Sequence, residues 1–348
     1  MRTLGIAFAL AAAAASAVPA GGPALYGLTR VRNSASCSGA VSGCAQLVSI
    51  DMSTGVLKNI GHGHTPLSGN NDLGVVVGDL YYLLGDGWNG TGTVLTGIST
   101  KDGSESCRAF LPSLAEVGLV GGGQSLLHDT KNKRLLLAGL NQSSTGVVTH
   151  FLLSAPVGGC GPFTKLGEFG DGDYEPMAHG SGLDVEGQRV FDTLSTGPHG
   201  YGMGVISVGS VNLSAVYTMS ASQQLWGPNY LSSSKKVVGP MQANAGPGIE
   251  WRTLDPDTGA WTNAPLKYAP SLGNVSFPGL LGNLGSVRAF DPEAEVVYTL
   301  AGRGNPSFPT TEVVQIDAKT GTLTAHSGKL SGDVGWSGSI IEQLAVAA

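Results

Sequence analysis

The residues able to do chemistry in this chain fall in glycine-rich segments between apolar runs. Trp88, Trp226 and Trp336 stand there with His179, His199, Asn71, Asp72 and Asn229. Indole rings stack on flat apolar faces, and amides, imidazoles and carboxylates supply directional hydrogen bonds, a combination suited to a polar organic ligand such as a sugar. The bland reading of each tryptophan is loop or blade packing. In "GHGH" the imidazoles of His62 and His64 lie on one side of an extended segment, as a metal would require, although a third ligand is missing. In "DGDYE" the alternate carboxylates Asp171, Asp173 and Glu175 can gather around Ca²⁺, which takes six to eight oxygens, but the full calcium-loop spacing is absent. A solvated loop accounts for either stretch.

Other chemistries lack their sequence context. "HGSG" at His179–Gly182 is an incomplete nucleophile elbow, and "GLVGGGQS" lacks the strand–turn–helix setting of a phosphate loop. The net charge of −6 and the lack of a basic stripe argue against a nucleic-acid partner.

"MRTLGIAFALAAAAASAVPA" carries one positive charge, an apolar stretch and then small residues. It reads as a signal peptide over residues 1–20, with cleavage after Ala17 or Ala20, and predicts a secreted, extracellular protein. The run is too short for a membrane span, and no second run of that length follows. Four cysteines suit an oxidising compartment. Cys37 and Cys44 are near enough to staple one loop, which leaves Cys107 to pair with Cys160 across neighbouring repeats. A zinc site would need a Cys-x-x-Cys spacing that is absent. Sequons at Asn89, Asn141, Asn212 and Asn274 add candidate N-glycosylation sites.

These segments need a scaffold, and the sequence repeats one. "LVSIDMSTGVLKNIG" (Leu47–Gly61) reads as two short strands around an Asp/Gly turn, and "VVQIDAKTGTLTAHSG" and "GIEWRTLDPDTGAWTNAPL" share its form. The Asp side chain can bond to backbone ahead of it, and Gly supplies positive φ. Degenerate copies begin near Val94, His150 and Met203, making six. Ahead of five of them lies a second strand pair, as in "QSLLHDTKNKRLLLAGL" and "GSVRAFDPEAEVVYTLAG". With 54 glycines and only 13% charged residues, the composition fits many short strands and tight turns.

A four-stranded unit of about this length, repeated, resembles a β-propeller blade. The expected fold is all-β, a single domain over residues 21–348. It has six blades of four antiparallel strands, and the ring is closed by N- and C-terminal strands sharing one blade. The glycine double turn of kelch repeats and the Trp-Asp ending of WD repeats are missing. Amides near the strand entrances, such as Asn71 and Asn229, loosely resemble those of calcium-dependent lactonase and esterase propellers of six blades. That resemblance implies a Ca²⁺ ion in the channel polarising a carbonyl. The chain departs from it by lacking the Glu-Gly-Pro start, and "GPNY" (Gly227–Tyr230) only echoes the Asn-Gly-Leu entrance.

Three functions fit this reading. One is a secreted, monomeric propeller binding a glycan, small molecule or protein on its loop face. The others are a Ca²⁺-dependent hydrolase or lactonase and a protein–protein scaffold. The missing enzyme signature favours binding.

Overall fold

A computed structural model describes residues 24–31, 44–61, 65–66, 73–86, 93–110, 125–142, 148–169, 175–195, 201–219, 225, 227–242, 249–272, 287–303, 310–331 and 341–347. They form six antiparallel sheets. From the axis outward, blade 1 is Ile341–Val346, Leu25–Val31, Cys44–Ile50 and Leu57–Asn59, with Thr65–Pro66 returning onto Cys44–Ile50. Blade 2 is Leu73–Val77, Leu80–Asp86, Thr93–Ser99 and Glu105–Phe110. Blade 3 is Ser125–Asp129, Arg134–Gln142, Val148–Pro156 and Thr164–Phe169. Blade 4 is Glu175–Asp184, Arg189–Ser195, Tyr201–Ser207 and Asn212–Met219. Blade 5 is Asn229–Leu231, Lys236–Gln242, Ile249–Leu254 and Trp261–Pro265. Blade 6 is Arg288–Asp291, Val296–Arg303, Thr310–Asp317 and Thr322–His326, with Lys267–Tyr268 running parallel along its outer edge. The protein is a six-bladed β-propeller, and the repeated Asp/Gly hairpin is the outer half of each blade. Among the described residues the one helical element is the 3₁₀ turn Pro270–Leu272.

The strand period explains why six blades make six cores. Successive side chains point to opposite faces of a sheet. Tyr81 and Leu83 therefore join Leu28 and Leu47 in the seam between blades 1 and 2, while Tyr82 and Leu84 join Leu135 and Phe151 between blades 2 and 3. The other seams repeat the scheme, ending with Leu25, Val48 and Leu344 against Tyr298 and Val313 between blades 1 and 6. A blade alone would leave both faces wet, and the closed ring buries both.

The turn chemistry expected from sequence is present. Asp51 Oδ1 accepts from the amides of Ser53 and Thr54 at 2.8 and 3.3 Å, and Gly55 has φ 73°. Asp255 and Asp317 do the same ahead of Gly259 and Gly321. In blade 4 the glycine position holds Val211 at φ 45°, a conformation a β-branched residue rarely adopts. Its side chain is buried in the seam with blade 3, and the space that a side chain at Gly167 would need is filled by it. Packing there offsets the backbone strain.

Polar groups cross the seams as well. The Trp251 indole donates to Ala318 O at 2.8 Å, and the Tyr82 hydroxyl accepts from the Gly158 amide at 2.7 Å. Cys107 and Cys160 form a disulfide between blades 2 and 3, the pairing expected from sequence. Cys37 lies outside the described residues, as does the side chain of Cys44.

Candidate functional site

The inner strands share a register set by the turns that end them. Asp129 and Asp184 each precede a five-residue step to Arg134 and Arg189, which return an ion pair at 2.9 Å. Lys133, Gln188, Lys235 and Glu295 each stand at positive φ just before the second strand begins. This end carries polar groups that satisfy one another between neighbouring blades. Gln188 of blade 4 donates to Asp129 Oδ1 at 3.1 Å and accepts from Asn132 at 2.9 Å, and Ser233 of blade 5 donates to both Glu295 oxygens. Burial pushes the Asp129 carboxyl up, but hydrogen bonds from Asn132, Arg134 and Gln188 outweigh it and hold the group below the usual carboxylate range.

The opposite end, where the inner strands begin, carries a polar arc on four consecutive blades: Ser125, Ser181, Asn229 and Arg288. Adjacent inner strands approach closely there. A side chain on Gly182 would meet Pro228 O at 3.1 Å, and one on Gly227, already at φ 61°, would lie 2.3 Å from Arg288 Cζ. Gly227 thus makes a seat for the guanidinium. Arg288 Nη1 donates to Gly227 O at 2.6 Å and to Asn229 Oδ1 at 2.8 Å, and Asn229 Nδ2 donates to Gly227 O at 3.1 Å. Enclosure at the channel wall pushes the Arg288 guanidinium down to about 10, leaving it charged at neutral pH.

Beside the arc lies a second polar group, in the seam of blades 3 and 4. Asp192 sits directly across the ladder from Ser181, and the Ser181 hydroxyl bonds to the Ser125 hydroxyl of the next blade. Asp192 is 1% exposed, and neither carboxylate oxygen has a hydrogen-bond partner among the described residues. Burial pushes its pKa up to about 8, and the Ser181 hydroxyl and Thr193 amide, which lie near without reaching hydrogen-bond geometry, ease this only in part.

Of the residues singled out in the sequence, Asn229 is placed at this end, fully buried, with its amide oxygen engaged by Arg288 rather than offered outward. Asn212 is exposed at the start of an outer strand. Trp88, Trp226, Trp336, His199, Asn71, Asp72, His62, His64, Asp171, Asp173, Asn89 and Asn274 lie outside the described residues. His179, Glu175 and Asn141 are on strands, but their side chains are outside the description. Among the described residues no group of three His, Cys, Asp or Glu side chains is placed to hold a metal.

Sequence reasoning met Ser181 and Ser125 only as parts of the incomplete "HGSG" elbow and of "GLVGGGQS", and passed over Asp192 and Arg288. A signal for Asp192 existed. Aligning the second strands on their turns puts this carboxylate where blades 2, 3, 5 and 6 have Leu83, Leu137, Gly239 and Thr299. A lone charge in an apolar register position asks for a partner.

No protein-family model and no curated protein matches the chain. Solved structures do. TolB from Acinetobacter baumannii matches with a TM-score of 0.50 at 12% identity, over 93% of this chain and 66% of that one. A β-1,3-galactosidase of glycoside hydrolase family 43 matches with a TM-score of 0.50 at 11% identity, over 80% and 62%. A candidate 6-phosphogluconolactonase from Bacteroides uniformis matches at 0.47 and 12%, over 89% and 83%. At these identities the likeness shows the propeller fold and nothing finer. The chain spans about two thirds of TolB and somewhat less of the galactosidase.

Proposed function

We propose that the protein is a secreted binding propeller that holds a polar ligand, a glycan in our reading, at the end of the axis where the inner strands begin. The observation that carries this is the arc of Ser125, Ser181, Asn229 and Arg288 at that end, built around a seated guanidinium. The half-buried Arg288 guanidinium is the member of this arc that can donate to a sugar's hydroxyls, and the buried Ser125, Ser181 and Asn229 form the rigid polar wall behind it. Trp88 would add a stacking face. The Cys107–Cys160 disulfide and the exposed Asn212 sequon support an extracellular setting.

A glycan array probed with the secreted protein tests this. Binding to a defined glycan, weakened at least tenfold in Trp88→Ala and in Arg288→Lys, is the expected result. An array without hits, or hits indifferent to both substitutions, would overturn it.

A further inference from the structure

Behind that arc, and sharing its Ser125 and Ser181, the seam between blades 3 and 4 contains a carboxyl without a hydrogen-bond partner among the described residues. Most of the seam is apolar: Leu136, Ala138 and Leu152 of blade 3 meet Val190 and Ile206 of blade 4. Toward the strand entrances it turns polar, with Asp192, Ser181 and Ser125 converging from three strands of two blades. The Asp192 neighbours across the ladder are Ser181 on one side and Gly204 on the other, and neither brings a positive charge. No charged side chain among the described residues offsets its burial. Buried carboxylates elsewhere in the fold are answered: Asp129 by Arg134, Asp184 by Arg189 and Glu295 by Lys319. Asp192 alone of these has two oxygens without a partner.

A buried carboxylate left without donor or cation costs several kcal/mol, so at neutral pH Asp192 keeps its proton, as its pKa of about 8 requires, unless a cation displaces it. The oxygen set here is one carboxylate and two serine hydroxyls, which are hard donors suited to hard cations rather than to zinc or copper. A divalent ion would leave an uncompensated positive charge in the seam, whereas a monovalent ion brings the site to neutrality. We propose that Asp192, Ser181 and Ser125 form a binding site for a monovalent cation, Na⁺ or K⁺, which joins blade 3 to blade 4 beside the channel. The ion would take the place that arginine fills at Asp129 and Asp184.

The test is thermal unfolding of the full chain in NaCl, KCl or CaCl₂, with tetramethylammonium chloride holding ionic strength constant. A cation bound only by the native state raises Tm with the logarithm of its concentration. For a domain of this size the rise is about 2–4 °C per tenfold once the site fills. The expected result is such a rise with Na⁺ or K⁺, abolished in Asp192→Asn and moved to higher concentration in Ser181→Ala. No monovalent response, an undiminished response in Asp192→Asn, or a response confined to Ca²⁺ would overturn the assignment. Should Asp192→Asn fail to fold, Ser181→Ala and Ser125→Ala decide alone, and a response equal to wild type in both would overturn it.

Discussion

Removing the Cys107–Cys160 cross-link is expected to lower stability substantially while leaving the native ring intact. The two half-cystines are 53 residues apart, and they close a loop running from the outer strand of blade 2 through the inner three strands of blade 3. In the chain-entropy model, cross-linking such a loop removes about 14 cal/mol/K from the unfolded ensemble, or about 4 kcal/mol at 25 °C. That is a large share of the roughly 5–15 kcal/mol by which domains are stable. The native seam keeps other ties, because Tyr82, Leu84 and Leu95 pack on Leu135, Leu137 and Phe151, and Tyr82 holds the Gly158 amide. The loss should therefore act through the unfolded state. The assay is guanidinium unfolding of Cys107→Ala/Cys160→Ala beside wild type, with wild type in reductant as a second reference. The expected result is a fall of about 2–4 kcal/mol with an increased m-value, since the uncrosslinked chain exposes more surface when unfolded. An unchanged midpoint, or an equal loss with altered native near-UV circular dichroism, would refute the reasoning.

Three further outcomes follow from the packing. Gly103→Ala should cost more than about 3 kcal/mol: Gly103 is at φ 71° and an added Cβ would lie 2.0 Å from Ile60 O, so the yield of folded protein should collapse. Trp251→Phe removes the donor to Ala318 O inside the seam of blades 5 and 6, and calorimetry should show a loss of about 1–3 kcal/mol. The pKa of Asp129 is lowered from 3.8 on folding, so its stabilising contribution is present above that unfolded value and is lost as pH falls through the folded one. Asp129→Asn should accordingly show a shallower fall in Tm than wild type below about pH 4, measured by scanning fluorimetry.

The architecture was legible because its signals are local. Asp51, Asp255 and Asp317 each bond to the two amides two and three residues ahead, and a glycine follows at positive φ, so a short string of residues encodes one turn. Repetition then supplied the blade count. The blade 4 copy read as degenerate for a physical reason, since Val211 trades the glycine's freedom for burial against Gly167. The inner turns gave a weaker signal, because Lys133, Gln188, Lys235 and Glu295 adopt positive φ without being glycine. The polar arc was less legible still. Arg288 and Ser125 look like ordinary strand residues, and their meaning depends on which blades become neighbours, a relation between positions about 55–60 apart that no local rule carries.

The first blade is not finished by its own stretch of chain. Leu25–Val31 pairs on its axial side with Ile341–Val346, from Leu25 opposite Val346 to Thr29 opposite Ile341. At roughly 5–20 residues per second a ribosome needs about 15–60 s to pass from one strand to the other. Throughout that interval the axial edge of Leu25–Val31 lacks its native partner, and an open strand edge invites pairing with other chains. The ring is therefore sealed by a segment made long after the strand that it completes. Premature termination before Ile341 should accordingly yield a sticky, protease-sensitive product rather than a smaller propeller.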